Sequence, residues 1–227
     1  MRLESIAALY QGFLDYQLTY YCLSMKKSMF IQIACAAFML CACGGNQPSV
    51  KSFDDIVASR RSVRDYDASK TISQEEVMEL IKCAQEAPSW ANQQPSKYYV
   101  AISPEKVAAV KELVGDGNKR NTAGAPVMIV STYVKTRSGF FRGNPANEIG
   151  DGWGAYDNGL SNAYFILKAR ERGFDTLIMG MRDSDELRKL FDIPDDECIM
   201  AVISLGYRAS DPNRPDRKPT GEIVKYY

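Results

Sequence analysis

Three guanidinium groups and a hydroxyl fall within five consecutive positions, at Arg60, Arg61, Ser62 and Arg64 of the run Arg60-Arg61-Ser62-Val63-Arg64-Asp65-Tyr66. Arginine offers a planar fork of donors and serine a short one, so this set could grip a phosphate through charge-assisted hydrogen bonds. The same run also suits a solvated basic end to a short helix carrying Phe53, Ile56 and Val57, where cations complement the helix dipole. A second stretch, Ala87-Pro88-Ser89-Trp90-Ala91-Asn92-Gln93-Gln94-Pro95, concentrates amide side chains just before an apolar run. Amides donate and accept at once, so they can match the alternating edge of a heterocyclic ring; a turn with an Asn-rich surface is the plainer alternative.

Composition removes several competing chemistries. The 227 residues include no histidine, which excludes imidazole acid/base catalysis, Ser-His and Cys-His nucleophiles, and metal sites that need imidazole. Twenty-eight Lys and Arg balance 28 Asp and Glu, so net charge gives no reason to expect nucleic acid as a partner. The length suits one domain of ordinary size, or one plus a tail. Cys83 and Cys198, the two late cysteines, have no Cys-x-x-Cys neighbour and sit among apolar residues. They read as small buried thiols, with a single bridge between them open in an oxidising compartment.

The other cysteines, Cys22, Cys35, Cys41 and Cys43, crowd an N-terminal stretch of different character. Lys26 and Lys27 precede an apolar run from Met29 to Leu40 broken only by Gln32, the layout of a secretory signal. The run is shorter than the ~20 residues that span a bilayer. Leu40-Cys41-Ala42-Cys43-Gly44 resembles a bacterial lipoprotein signal, which implies lipidation at Cys43 and a cell-envelope protein held at the membrane by lipid alone. Ordinary cleavage or an uncleaved anchor are the alternatives. The expected organisation is an upstream extension at 1–24 (with Met25 a candidate start), a signal at 25–43, a tether at 44–51 and one domain at 52–227.

Elements that must hold the two polar motifs can be placed from their boundary signals. Ser73-Gln74-Glu75-Glu76 is a capping box opening a helix whose Val77, Leu80, Ile81 and Ala84 share a face, and which ends before Pro88. A strand is expected at Lys97 to Ile102, a helix from Pro104 to Val114 behind Ser103, and a buried strand at Val127 to Val134. Trp153 to Arg172 reads as a long helix stopped by Gly173, and Asp183 with Glu186 starts another that reaches Phe191. Ile199 to Leu205 should be a central strand. The pattern predicts an α+β or α/β domain, a sheet of several strands enclosed by helices.

The arginine run and the amide loop, in this order, resemble the nitroreductase family of FMN enzymes. Two later segments extend the likeness: Gly173-Phe174-Asp175-Thr176-Leu177-Ile178-Met179-Gly180, and Gly206 followed by Arg214-Pro215-Asp216-Arg217-Lys218-Pro219. Four motifs in order cover nearly all of Ser52 to Tyr227. The resemblance implies a central mixed sheet flanked by helices, an interlocked homodimer, bound FMN, and NADH or NADPH as donor. It assigns Arg60, Arg61 and Ser62 to the phosphate and ribityl end, and Arg64 to the flavin N1 and C2 carbonyl side, where a cation stabilises reduced flavin. Pro88, Ser89, Asn92 and Gln94 would line the cofactor from the second subunit. Gly180 would let backbone approach N5, Met179 would contribute only its backbone amide, and Arg217 and Lys218 would form a second phosphate clamp, with Lys119 and Arg120 as weaker candidates.

The implied reaction is hydride transfer from a reduced nicotinamide, or another donor, through flavin to nitroaromatics, quinones or similar acceptors. Thr136 to Gly152, with Phe140 and Phe141, has no counterpart in the likeness; it reads equally as a lid or as a self-packed surface loop. Trp90 is open between a substrate wall and a dimer anchor. The apolar end Glu222-Ile223-Val224-Lys225-Tyr226-Tyr227 reads as a strand-like segment with something to pair with or cover; the resemblance implies that it crosses to the partner's sheet, and a tail packed on its own subunit is the alternative. The rival functions are a flavin-binding module without turnover and a cofactor-free scaffold.

Overall fold

Residues 51–227, described here in a computed structural model, begin with helices set by side-chain caps. The upstream extension, the signal with Cys43, and residues 44–50 of the tether lie outside the described residues. In chain order the elements are α1 (Phe53–Ser59), α2 (Gln74–Gln85), β1 (Ser96–Ala101), α3 (Pro104–Glu112), α4 (Asp116–Asn121), β2 (Val127–Val134), β3 (Phe140–Phe141), β4 (Asn144–Pro145), α5 (Gly152–Glu171), β5 (Asp175–Met179), α6 (Ser184–Phe191) and β6 (Glu197–Gly206). Single 3-10 turns occupy Trp90–Asn92 and Thr220–Glu222. Ser52 and Ser73 accept from the backbone N–H of Asp55 and Glu76, whose carboxylates return the bond, so α1 and α2 both open on capping boxes. Ser103 and Asp183 cap α3 and α6 in the same way through one bond each.

The strands form a four-stranded sheet in the order β1-β2-β6-β5 with every pairing antiparallel. The mixed character comes from one parallel bridge, Ser62 with Thr176, that lays the arginine run along the outer edge of β5. Side-chain alternation sends the two faces of the sheet into separate cores. Met128 and Val130 of β2 pack with Val107 and Val110 of α3 and Leu187 of α6. Val127 and Ile129 face the other way, onto Leu80 of α2 and Phe165 of α5. Both faces are covered by helices, so β2 reads as a continuous apolar run rather than an alternating one. Close contact between α5 and β2 depends on Gly154, where a Cβ would fall 2.5 Å from the Tyr133 ring.

Several expectations shift at the edges. Asp175–Met179 is a full edge strand, which the sequence reading treated only as a Gly-hydrophobic segment, and α4 was not foreseen. Within its own chain the apolar C-terminal end forms no strand after the Thr220–Glu222 turn, and Ile223, Tyr226 and Tyr227 are exposed, as a segment without a pairing edge must be. Cys83 and Cys198 are free and half-buried, so no bridge joins them. Gly173 takes a positive φ of 89°, as the cap after α5 requires.

Candidate active site

The arginine run leaves the last turn of α1 and is at once held by the sheet edge. Val63 N–H donates to the Thr176 carbonyl at 3.0 Å, while the Val63 and Tyr66 side chains are buried in the core. Alternation then turns Ser62 and Arg64 outward, and both are exposed. Arg61 Nη1 donates to the carbonyls of Ala58 and Arg60 at 2.6 and 2.8 Å, yet its buried Nε has no hydrogen-bond partner. Arg64 Nη1 donates to the Ser62 carbonyl at 3.2 Å.

The charge of Arg217, from the far end of the chain, is felt at Arg60. Partial burial, then the like charges of Arg217 and Arg61, hold the Arg60 guanidinium below its usual pKa. Among the described residues, Arg60, Arg61, Arg64 and Arg217 make no ion pair with any carboxylate. Like charges gathered without a counter-charge repel, and an anion seated among them relieves that repulsion. The cluster therefore fits a phosphate-bearing ligand. Lys218, the other predicted clamp residue, is exposed, and Lys119 is engaged by Glu112.

What fixes this edge is a buried hub absent from the sequence reading. Asp175, the first residue of β5, has a side chain 1% exposed and accepts a bidentate pair from Arg208 Nε and Nη2 at 2.7 and 2.6 Å. Arg170 Nη1 joins from α5 at 3.4 Å. Both arginines then hold Ser59, the residue just before the run: Arg208 Nη2 donates to its carbonyl at 3.2 Å and Arg170 Nε to its hydroxyl at 3.0 Å. The hub thus ties the exit of α1 to β5. Hydrogen bonding to Asp175 is the largest cause of the raised pKa of Arg208.

The amide-rich loop is stiff. Gln94 N–H donates to Ser89 Oγ at 3.0 Å and Gln94 Nε2 to Asn92 Oδ1 at 3.1 Å. Ala91, Asn92 and Gln94 all take positive φ, at 44°, 56° and 48°, a conformation that L side chains adopt only when the surroundings impose it. Pro88, Asn92 and Gln94 are exposed and Ser89 half-buried. The Trp90 ring lies 4.8 Å from that of Trp153 at the start of α5.

At the opposite end of β5 from Thr176, Gly180 follows Met179, whose side chain is buried in the core and leaves only backbone for a ligand. Four residues of extended strand separate Thr176 from Gly180, about 13 Å. A Cβ at Gly180 would meet nothing within 4 Å, so this glycine answers no packing demand of its own chain and leaves open space over the strand end. Beside it, residues 112–115 and 180–185 line a cleft of about 660 Å³. Thr136–Gly152 forms the β3-β4 hairpin, closed by its own bonds: Ala146 N–H to the Gly139 carbonyl at 2.7 Å and Thr136 N–H to Asp151 Oδ1 at 2.6 Å. Phe141 at its tip is exposed beneath the Arg142 guanidinium.

The predicted site residues fall into two groups in one chain. Arg60, Arg61, Ser62, Arg64, Met179, Gly180 and Arg217 lie along or near the β5 edge, while Ser89 and Gln94 line a different cavity, of about 350 Å³, with Met78, Gln85 and Tyr98. Neither this cavity nor the cleft beside Gly180 joins the two groups.

The sequence profile of the Nitroreductase family matches residues 57–207, a span holding the arginine run, the amide loop and all of β5. The chain belongs to the Nitroreductase family. A curated member, the Bacillus subtilis protein named "Putative NAD(P)H nitroreductase YdgI", is 26% identical over 203 residues, covering 77% of this chain and 97% of its own. Among solved structures, the Exiguobacterium sibiricum "putative nitroreductase in complex with FMN" superposes with a TM-score of 0.70 at 23% identity, over 78% of this chain and 98% of that one. CLA-ER, an enone reductase of gut-bacterial fatty acid saturation, matches with a TM-score of 0.70 at 19% identity, over 78% and 99% of the two chains. The chain shares the fold of these neighbours.

Proposed function

We propose that this nitroreductase-family chain is an FMN-dependent oxidoreductase that uses NADH or NADPH to reduce flat, conjugated acceptors such as nitroaromatics and quinones. The observation that carries the reading is the set of like charges felt at Arg60, from Arg217 and Arg61, with no carboxylate partner among the described residues, where the arginine run bridges to Thr176 at the first end of β5. Bound FMN would supply hydride transfer between the nicotinamide and the acceptor. Arg60, Arg61, Ser62 and Arg217 would hold its phosphate, with Lys218 as a further donor. Arg64 would place positive charge toward the ring, and the backbone of Met179 and Gly180 would face the ring with no side chain between. The absence of histidine suits a site whose protein groups bind and orient rather than shuttle protons. The FMN complex and the enone reductase with the same fold support both cofactor and acceptor class. The test is anaerobic addition of NADPH to purified protein: yellow protein should bleach and recover colour when a nitroaromatic or quinone is added. Yellow protein that stays oxidised would instead support a binding module, and colourless protein that takes up no FMN a scaffold.

A second copy would complete the site by bringing Pro88, Ser89, Asn92 and Gln94 to the β5 edge of the first. Apolar surface available for this is plentiful: Phe53 and Val57 of α1 and Tyr156 and Tyr164 of α5 are exposed, as are Ile223, Tyr226 and Tyr227 of the tail. A homodimer closed over these faces would bury more than about 2,000 Å². Light scattering of protein lacking residues 1–43 should give a dimer, and deleting Ile223 to Tyr227 should raise its dissociation constant at least about tenfold, equivalent to ~1.4 kcal/mol. A flavin-loaded monomer at micromolar concentration would contradict the shared site.

The cell-envelope location of the lipoprotein reading rests on Cys43, whose predicted lipid would tether the domain. Cys43→Ala should abolish incorporation of labelled fatty acid, and labelling that persists would disprove it.

A further inference from the structure

We propose that Asp157 is a positioning residue that locks the amide-rich loop and the Thr136–Gly152 hairpin into one arrangement, so that cofactor binding and acceptor fit depend on the same buried carboxylate. Asp157 lies on α5, is 3% exposed, and uses a single oxygen for both neighbours. Its Oδ2 accepts from the Trp90 backbone N–H at 3.0 Å and from the Ser138 hydroxyl at 2.6 Å.

The contacts of two further residues point the same way. Trp153, one turn earlier on the same helix face, packs its ring 4.8 Å from that of Trp90 at a tilt of 54° and donates through Nε1 to Asn147 Oδ1 of the hairpin segment at 3.0 Å. It therefore repeats the bridge that Asp157 makes. Asn158, the next residue, fixes where the loop enters β1, donating through Nδ2 to the Thr132 carbonyl at 2.9 Å and to Ser96 Oγ at 3.3 Å. Asn158 Oδ1 in turn accepts from Ser131 Oγ at 3.1 Å and Asn162 Nδ2 at 3.0 Å, anchoring the helix to β2.

The chemistry explains why an ionisable group sits here. A buried carboxylate is unfavourable unless hydrogen-bonded, and this one spends its bonds on two segments that Trp153 alone would otherwise join. The loop needs such an anchor, because Ala91, Asn92 and Gln94 hold positive φ only if their surroundings enforce it. A carboxylate makes stronger bonds to N–H and O–H groups than a neutral acceptor, and 3.0 Å from Trp90 N it acts on the residue just before the strained run.

The cofactor arm of the test rests on the FMN reading, and a proteolysis arm stands without it. Chymotrypsin can cut after Trp90 in the loop and after Phe140 or Phe141 in the hairpin. Asp157→Ala should make both segments cleavable and weaken FMN binding, measured by quenching of flavin fluorescence, by about tenfold or more. Asp157→Asn keeps an acceptor oxygen and should restore FMN affinity to within about threefold and protection of both segments. Ser138→Ala removes only the hairpin bond: the hairpin alone should become cleavable, FMN affinity should hold, and the acceptor KM should rise with kcat little changed. Asp157→Ala with wild-type FMN affinity and two protected segments would overturn the proposal, as would a lowered melting temperature with FMN affinity unchanged. Should Asp157→Ala fail to fold, a Ser138→Ala hairpin as resistant as wild type overturns it. Wild-type protein that takes up no FMN would defeat the functional reading, while the cleavage pattern still judges Asp157.

Discussion

Replacing Arg60 and Ser62 together by alanine is expected to strip the protein of FMN while leaving the fold intact. Arg60 has no carboxylate partner and Ser62 is exposed at the sheet edge, so neither side chain holds the structure together. Each charge-assisted bond to a phosphate contributes about 1.5–3 kcal/mol. Losing Arg60 alone therefore weakens FMN by roughly 10- to 100-fold, and losing Ser62 as well weakens it further. Far-ultraviolet circular dichroism should be unchanged, and removal of mutual repulsion among Arg60, Arg61 and Arg217 should leave the apoprotein at least as stable to heat. Full flavin occupancy in the double variant would contradict the phosphate assignment.

The second large effect is on stability and comes from Asp175. Asp175→Ala leaves half-buried Arg170 without a carboxylate and half-buried Arg208 with only the exposed Asp211, and breaking a buried pair of this kind costs about 3–5 kcal/mol. For a domain of this size that corresponds to a fall in melting temperature of roughly 6–20 °C. The hub also holds Ser59, so variants that fold should bind FMN more weakly even though Asp175 touches no ligand. Thermal unfolding measures the first consequence and flavin titration the second. A melting temperature within a degree or two of wild type would show that the three charges are not mutually dependent.

Local chemistry made much of the fold legible. Capping boxes at Ser52 and Ser73, the proline behind Ser103 and the glycine after α5 are decided by neighbours within a few residues, and β2 shows its burial in an unbroken run of apolar and β-branched side chains. Ser52 supplied such a signal too, with Asp55 three residues on, although only the box at Ser73 was read from the sequence. The arginines that form the candidate site were visible for the same reason, as a cluster of donors in one run. What joins them was not. Asp175 and Arg208 are 33 residues apart, and Trp90 and Asp157 are 67 apart. Partners at such separations leave no periodicity or spacing to read, and both aspartates look like ordinary surface carboxylates until the fold buries them. Arg217 beside Arg60 belongs to the same class, reached through the likeness to other sequences rather than through any local pattern. The tail differs in kind: its residues favour a strand, but a strand is a pairing, and within one chain residues 223–227 pair with no strand.

The central claim is that the unneutralised arginines hold a phosphate, and a titration of flavin-free protein with FMN and with riboflavin tests it most directly. The two ligands share ring and ribityl chain and differ only in the phosphate. FMN should bind at least about 100-fold more tightly than riboflavin, a gap of ~2.7 kcal/mol that shrinks as salt is raised. Equal affinity for the two would contradict the account.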